Sequence, residues 1–288
     1  MTASTTRASA GRRFLRLIAT SPGIPVGGGL LLLFVLIALF GPMTVADPFA
    51  QNVMNRLQPP SAANWFGTDE FGRDLLSRMV HGTRTTLMVG ALVAALAGAA
   101  GVLTGLLAGY YHRLDNFIMR IMDGLLAFPS VVLALGLVAA LGPRTSNTII
   151  ALAIVYTPRI ARLVRGVVLN VKEQEYVTAA KAVGACDERV LWLHVLRNVT
   201  DMIIVQLSYI FALAVIAESA LSFLGVTGSV LNPSWGGILS DGRTYIYQAA
   251  SMTVIPGILI ATLVLALNLL GDGLQERLDP RLKGQLRG

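Results

Sequence analysis

The sequence predicts an all-α, polytopic membrane protein, and three observations lead to that fold class. Of its 288 residues, 54% are hydrophobic and only 14% are charged, and the mean hydropathy is +0.66. Several uncharged stretches reach the roughly 20 residues that a helix needs to cross a hydrocarbon core of about 30 Å. No segments of about ten residues alternate polar and apolar positions as transmembrane β-strands do. An ordinary soluble domain is therefore excluded.

The apolar stretches predict six transmembrane helices within one transmembrane domain, 24–288, preceded by a cytoplasmic tail, 1–23. An uncleaved first span is favoured over a signal peptide, because no small-residue cleavage site follows the "GRRFLRLIA" start. The predicted spans are 24–46, 86–110, 117–141, 147–165, 200–224 and 252–271.

The distribution of cations predicts that both chain ends lie in the cytoplasm. With the N-terminus inside, most of the 23 Lys and Arg residues fall on the cytoplasmic side. Those left outside are Arg56, Arg73, Arg78, Arg84, Arg144 and Arg243. The pI near 10.0 is explained by this topology rather than by binding to nucleic acid. The same orientation predicts an outer segment at 47–85, where Thr68 caps a short helix from Asp69, and an outer loop at 226–250.

The second predicted span carries a series of small residues that favours close helix packing. Glycines three, four or eight positions apart share one helix face and allow another backbone to approach. The series predicts a close neighbour without indicating which helix supplies it. Its members are Gly90, Ala94, Gly98, Gly101, Gly105 and Gly109.

No catalytic or metal-binding pattern stands out in the sequence. No Gly-Lys dipeptide occurs, so there is no Walker A loop, and no Gly-x-Ser-x-Gly elbow is present. The three histidines are too widely spaced for a helical zinc motif, and Cys186 is the only cysteine. We therefore expect a protein without its own catalytic site, metal or cofactor.

A polar insert separates the fourth and fifth predicted spans, at 166–199. Its residues predict a short helix ended by Gly184, a tight turn, and a second helix capped by Asp187 and running through Leu196. Val177, Ala180 and Val183 are expected to share one face of the first helix. On these grounds alone, two interpretations stay open. The insert either rests on the membrane surface as an amphipathic connector or docks into the groove of a cytoplasmic partner.

Four motifs in order resemble one family. The insert, "EYVTAAKAVGACDERVLWLHVLRN", resembles the cytoplasmic coupling loop of ABC-importer permeases, with the loop's Ala-Ala at Ala179 and Ala180 and its glycine at Gly184. "WFGTDEFGRDLLSRMVHGTRTTLMVG", "RIMDGLLAFPSVVLAL" and "AESALSFLGVTGSVLNPSWGGILSDGR" are similar to segments of the C-type permease subunit of dipeptide, oligopeptide and nickel importers. The resemblance extends from about residue 20 to the end of the chain.

The resemblance implies a type I ABC-importer permease fold in a bacterial cytoplasmic membrane. Its partners would be a homologous second permease, two ABC ATPases that bind ATP and Mg²⁺, and an extracytoplasmic binding protein. The expected coupling residues are Glu175, Tyr176, Val177, Thr178, Ala179, Ala180, Gly184 and Ala185.

Two positions depart from the family pattern. Thr178 replaces the glutamate that names the motif, and Arg197 replaces the proline expected near its end. The first change removes a negative charge from the docking helix. The second should let the following helix begin without a break.

Five further residues are candidates outside the insert. Glu218 and Asp123 are intramembrane carboxylates and candidate pathway residues. Alternatively, Glu218 pairs with Arg or Ser donors between helices, and Asp123 is solvated near the cytoplasmic interface or paired with Arg120. Trp235, Asp69 and Arg73 are candidates for contact with the binding protein.

Three function classes remain at this point. The leading hypothesis is a permease for short peptides, with nickel or another small solute as the alternative within the family. A secondary transporter needs more buried ionisable residues than Glu218 provides. A membrane enzyme is disfavoured by the missing nucleophile, base and metal ligands.

Overall fold

The computed structural model describes residues 22–226 and 233–278, and the secondary structure within these ranges is helical apart from one isolated bridge between Thr68 and Asp74. The predicted tail therefore lies almost entirely outside the described residues, as do part of the predicted outer loop and the last ten residues. The helices are α1 Gly23–Phe40, α2 Leu75–Tyr110, α3 His112–Leu126, α4 Ser130–Leu141, α5 Thr145–Val171, α6 Glu175–Ala182, α7 Asp187–Phe223, α8 Trp235–Gly242 and α9 Ser251–Leu278. Short 3₁₀ turns follow α1, interrupt the segment before α2, and follow α8.

Four of the helices are long and apolar enough to cross a membrane, namely α1 with its 3₁₀ extension, α2, α7 and α9. The third predicted span is not one straight helix. It is the pair α3 and α4, which meet at Pro129 at an angle of 94°, and it makes a fifth candidate span if the pair is counted as one. The fourth predicted span corresponds to α5, whose second half carries three arginines and which does not reach the apolar length of the others.

Helix α2 lies at the centre of the bundle, and its small residues explain why. An added methyl group at Gly105 would lie 2.6 Å from the carbonyl oxygen of Ala161, so the α2 and α5 backbones nearly touch there. At Gly90 the corresponding methyl would lie 2.3 Å from the ring of Phe211 on α7. The predicted close packing is confirmed, and the neighbours are α5 for the later glycines of the series and α7 for the earlier ones.

The remaining helices surround this centre. Helix α1 packs on α9, where an added methyl at Gly27 would lie 2.4 Å from the carbonyl oxygen of Ala266. A second apolar core joins α1, α2, α8 and α9 around the fully buried Trp235. Since α5 has 27 residues and is about 40 Å long, its two ends lie on opposite sides of the bundle. The insert follows the C-terminal end of α5, and the segment that precedes α2 packs near its N-terminal end.

Candidate functional site

The first helix of the insert, α6, is held to the bundle by one apolar side chain. Val177 is fully buried, while Glu175, Tyr176, Thr178 and Ala179 on either side of it are exposed. An eight-residue helix buries too little surface to be stable alone, so this contact fixes how α6 lies on the bundle. The remaining surface of α6 faces away from the chain.

Gly184 ends α6 as the sequence predicts. Its φ is +91°, in the left-handed region that glycine adopts without strain. Ala185 N–H donates to the Ala180 carbonyl, and Gly184 N–H donates to the Lys181 carbonyl, both at 3.0 Å. This pair of bonds is a Schellman motif, which satisfies carbonyls left unpaired at the helix end. The turn is therefore specified by its own backbone.

The second half of the insert differs from the sequence prediction. Asp187 does not cap a separate helix: it is the first residue of α7, and no side chain caps that N-terminus. The helix passes through a π-helical section, Val190–Val195, and continues without interruption to Phe223. The continuity expected from Arg197 in place of proline is confirmed.

Polar contacts attach the insert to the neighbouring helices. The Tyr110 hydroxyl at the end of α2 donates to the Asp187 carboxylate, and the Lys181 ammonium lies 4.9 Å from the centre of the Tyr110 ring. Asn198 Nδ2 donates to the Tyr176 hydroxyl at 3.1 Å. The contacts of Lys181 and Tyr176 join both ends of α6 to α2 and α7.

The surface that the insert presents includes an exposed apolar residue. Val183, expected to share the packed face with Val177 and Ala180, is instead 87% exposed, because it lies at the end of α6 where the chain turns away from the bundle. Ala180 is half-buried, and Tyr176 is 45% exposed. Small and apolar exposed side chains on a short helix are suited to a groove in a partner.

At the opposite end of the bundle, an ion-pair network holds the segment that precedes α2. The Asp69 carboxylate is completely buried, and its Oδ2 lies 2.5 Å from Arg73 Nε and 2.7 Å from Arg78 Nη1. Arg73 also pairs with Glu70 at 3.1 Å, and Arg78 with Asp241 on α8 at 3.1 Å. The network thus links this segment, α2 and α8.

The expected helix from Asp69 capped by Thr68 is wrong. Thr68 pairs with Asp74 in the isolated bridge, and its hydroxyl accepts from Gln58 N–H at 2.9 Å. Helix α2 begins later, at Leu75, because Asp74 is its cap and accepts from Ser77 N–H at 2.8 Å.

The three residues expected to touch a binding protein are not at the surface. Trp235 is completely buried, donates from Nε1 to the Met79 carbonyl at 3.1 Å, and contacts Phe34 edge-on at 5.5 Å. Asp69 is completely buried, and Arg73 is 7% exposed. Their burial argues against direct contact, and they shape this end of the bundle from within.

Glu218, near the C-terminal end of α7, lines a cavity of about 360 Å³. We call this space the Glu218 cavity; Glu70, Arg78, Thr148, Ser234 and Asp241 also line it. Glu218 is 4% exposed, and its Oε1 accepts from the Ser222 hydroxyl at 2.8 Å; this donor is a serine, but it lies one turn along α7 itself rather than on another helix as expected. Burial raises the pKa of the Glu70 carboxyl above its ordinary value, and the nearby carboxylates of Asp69 and Asp241 act in the same direction.

Asp123, the other candidate pathway residue, lies elsewhere. Its carboxylate is 61% exposed, as the solvated alternative predicts, and its ion-pair partner is Arg162 on α5, at 2.7 Å, instead of Arg120. One helix turn along α5, Arg165 makes a two-bond contact with Asp115 of α3, at 2.5 and 2.6 Å. These pairs attach α3 to α5. The structure does not bring Asp123 and Glu218 to one site.

A larger cleft of about 980 Å³ opens near the insert, between α5, α7 and α9. Its polar lining includes Asn198, Gln206, Tyr209 and Gln275, and the Tyr209 hydroxyl donates to Asp272 at 2.6 Å. Neither this cleft nor the position of Glu70 and Asp241 in the wall of the Glu218 cavity is predicted from the sequence. Only the density of Asp, Glu and Arg in "GTDEFGRDLLSR" hinted at the latter.

Comparison with known proteins identifies the family of this chain. Residues 101–284 match the family described as binding-protein-dependent transport system inner membrane component, and residues 9–60 match the N-terminal transmembrane domain of oligopeptide transport permease C. The chain belongs to this family of inner-membrane permeases. It is a multi-pass protein of the bacterial inner membrane and the permease component of an ABC transport system. The coupling-loop resemblance of the insert agrees with this membership.

Three relatives of this permease illustrate how far the similarity extends. The dipeptide transport system permease of Alkalihalophilus pseudofirmus is 45% identical over 87% of this chain and 83% of its own length. The di/tripeptide transport system permease of Pseudomonas aeruginosa is 44% identical over 89% and 88%. The glutathione transport system permease of Pectobacterium atrosepticum is 38% identical over 94% and 90%.

Proposed function

We propose that this permease forms half of the translocation pathway of an ATP-driven importer of short peptides. A homologous second permease supplies the other half, two ATPase subunits supply the energy, and an extracytoplasmic binding protein delivers the peptide. The observation that carries the substrate class is the similarity of almost the whole chain to permeases named for dipeptides, di- and tripeptides, and glutathione. In this arrangement the chain crosses the membrane six times, and both chain ends are cytoplasmic.

The insert is the proposed ATPase-coupling site. Its support is a short helix fixed by Val177 on one side and exposed on the other, with Val183 at its end. The contacts of Lys181 with the Tyr110 ring, and of Tyr176 with Asn198, connect that helix to α2 and α7. The sequence has no Walker A loop, and the proposal assigns ATP and Mg²⁺ to the partner subunits.

The two cavities support a pathway that runs from one end of the bundle to the other. The Glu218 cavity and the cleft between α5, α7 and α9 lie at opposite ends of α5. With the insert in the cytoplasm, the cleft is the inner half of the pathway and the Glu218 cavity faces the binding protein. The second permease would close the open side of the cleft.

The proposal is tested by a matched pair of exposed valines at opposite ends of the molecule. Val183→Glu places a charge on the proposed docking surface, and Val53→Glu places the same charge on the segment before α2, where Val53 is 73% exposed. The tagged chain is purified gently from its native membrane with each substitution, and co-purifying ATPases are quantified by mass spectrometry. Uptake of glycylglycine into proteoliposomes is then measured with each assembled complex.

We expect the unchanged chain and the Val53→Glu variant to retain a second permease and two ATPases, and Val183→Glu to lose most of the ATPase while remaining in the membrane. A chain that purifies alone under several conditions would overturn the importer assembly. If Val183→Glu recovered as much ATPase as the unchanged chain, the coupling site would not lie in the insert. Uptake of nickel in place of glycylglycine would overturn the peptide assignment alone.

A further inference from the structure

Helix α3 carries an apolar stripe that the rest of the described chain leaves uncovered. Leu114, Phe117 and Ile121 are 41%, 68% and 47% exposed. Residues three, four and seven positions apart lie on one face of a helix, so these three side chains form a continuous stripe. The face of α3 that packs on the bundle is a different one, marked by the buried Asp115 and Met122. The stripe therefore contacts something other than this chain.

The charges of α3 are neutralised on one side of the helix and not on another. Both of its carboxylates, Asp115 and Asp123, form ion pairs with arginines of α5. Arg113 and Arg120 are exposed, and neither takes part in an ion pair within the described ranges. Because they are seven positions apart, which is two helix turns, they lie in line along the edge of the stripe nearest Phe117. Helix α3 thus presents two unneutralised cations beside an apolar surface.

The bend at Pro129 indicates how α3 lies relative to the membrane. Helix α4, Ser130–Leu141, contains no charged residue and continues from α3 at an angle of 94°. An uncharged apolar helix is stable across the hydrocarbon core, so a helix at right angles to it lies along the membrane surface. Helix α3 also begins just after α2 ends at Tyr110, whose hydroxyl contacts Asp187 of the insert. The surface is the one from which the insert projects.

The two arginines favour lipid headgroups over a protein as the neighbour of this face. Covered by a second permease, they would need carboxylates from that partner, because a buried charge without a partner is costly. The bilayer, which surrounds every inner-membrane permease, supplies phosphate oxygens at its surface and acyl chains beneath them. Arginine binds phosphate well, and apolar residues with arginine next to them are typical of helices that lie in this interface.

We infer that α3 lies in the headgroup region of the bilayer and binds anionic phospholipids there. The inference goes beyond the proposed function, because it needs membership of the inner-membrane permease family and not peptide transport. The ion pairs of α3 with α5 connect this lipid contact to the half of α5 that leads into the insert. The headgroups are bound by Arg113 and Arg120, and the residues that enter the acyl chains are Leu114, Phe117 and Ile121.

The first experiment measures lipid contact in the complex, purified through the tagged chain with the subunits that accompany it and placed in nanodiscs. A fluorescent amino acid replaces Phe117 or, as the control on the polar side of α3, the exposed Asn116. The discs contain equal amounts of phosphatidylcholine and phosphatidylglycerol, and the acyl chains of one lipid or of the other are brominated to quench nearby fluorescence. Both leaflets have the same composition, so the result does not depend on the orientation of the chain.

At position 117 we expect brominated phosphatidylglycerol to quench at least about two-fold more strongly than brominated phosphatidylcholine, because each arginine near the surface attracts anionic lipid. At position 116 we expect little quenching by either lipid. Arg113→Gln combined with Arg120→Gln should abolish the preference at position 117. Arg84→Gln combined with Arg144→Gln is the matched control and should leave the preference unchanged, because these exposed arginines lie in the first third of α2 and directly before α5.

Each other outcome overturns a named part of the inference. Equal quenching by the two lipids at position 117, or a preference that survives in the Arg113→Gln and Arg120→Gln double variant, would overturn the recognition of anionic headgroups by these arginines. Absence of quenching by both lipids would overturn the lipid contact and show that a partner subunit or water covers the stripe. Equal quenching at positions 116 and 117 would place α3 inside the hydrocarbon core instead of at its surface. None of these results depends on peptide uptake, so the proposed function is tested separately.

Discussion

Substitution of Asp69 by Asn tests how the segment before α2 is held on the bundle. Oδ1 of Asp69 accepts from the backbone N–H groups of Phe71 and Arg73 at 2.9 Å, and Oδ2 accepts from the guanidinium groups of Arg73 and Arg78. Asparagine has the same shape but one oxygen in place of two. Either orientation of its amide leaves the NH₂ group facing two donors.

The expected decrease in the free energy of unfolding follows from these contacts. A hydrogen bond to a charged group contributes about 1.5–3 kcal/mol, so two such bonds correspond to about 3–6 kcal/mol. Both guanidinium groups keep a second carboxylate, Glu70 for Arg73 and Asp241 for Arg78, each at 3.1 Å. We therefore expect a loss near the lower limit, about 3 kcal/mol, as is typical when one partner of a buried ion pair is removed.

The free energy of unfolding is measured by denaturation of the purified protein with sodium dodecyl sulfate, followed by the loss of helical signal. Asp241→Asn is the matched control, because the Asp241 carboxylate is 39% exposed and its removal should cost less than about 1 kcal/mol. A loss below about 1 kcal/mol for Asp69→Asn, or equal losses for the two variants, would refute the view that the buried carboxylate organises the network.

Three further predictions concern packing, the insert and pH. Gly105→Val should lower the free energy of unfolding by about 3 kcal/mol, because the valine side chain meets the α5 backbone. Gly124→Val is the control in the same assay: no atom lies within 4 Å of the added methyl group, so the free energy of unfolding should not change. Val177→Ala should lower the free energy of unfolding by about 1–3 kcal/mol and speed proteolysis between α5 and α7, because Val177 is fully buried. Val183→Ala should leave the rate of that proteolysis unchanged, because Val183 is exposed. Since the pKa of Glu70 is raised by burial, its contribution to stability should be present below the ordinary carboxyl pKa and be lost as the pH rises through the raised value. The difference in unfolding free energy between the unchanged protein and Glu70→Gln should follow that course, and a difference that does not vary with pH would contradict it.

Local sequence signals predict the helical elements and several of their boundaries. Gly184 ends α6 because the left-handed backbone there is a local property. The break between α3 and α4 lies at Pro129, inside the predicted span 117–141. Asp187 shows the limit of such signals. An acidic residue suits either the cap or the first turn of a helix, and here it occupies the first turn.

Contacts between residues that are far apart along the chain could not be predicted from the sequence. The glycines of α2 predicted a close neighbour, but the choice of α5 or α7 depends on where Ala161 and Phe211 come to lie in the folded bundle. Trp235 was expected at the surface of a loop, yet it fills the core between α1 and α2, because its ring packs on Phe34 and its N–H meets the Met79 carbonyl. Likewise, Asp241 is more than 160 residues from its partner Arg78. Side-chain type and spacing along one helix do not encode such partners.

In the proposed importer, the uninterrupted helix α7 would carry movement of the insert along the bundle. Its 37 residues extend over about 55 Å, from Asp187 beside the insert to Phe223 beyond Glu218. A rod of that length, pivoted at the insert, displaces its far end by about 1 Å for each degree of tilt. In that arrangement a small rotation of α6 would widen or close the Glu218 cavity at the other end of the bundle. The π-helical turn at Val190–Val195 lies next to the insert. There the helix can change its pitch, and so its direction, while its backbone hydrogen bonds stay formed.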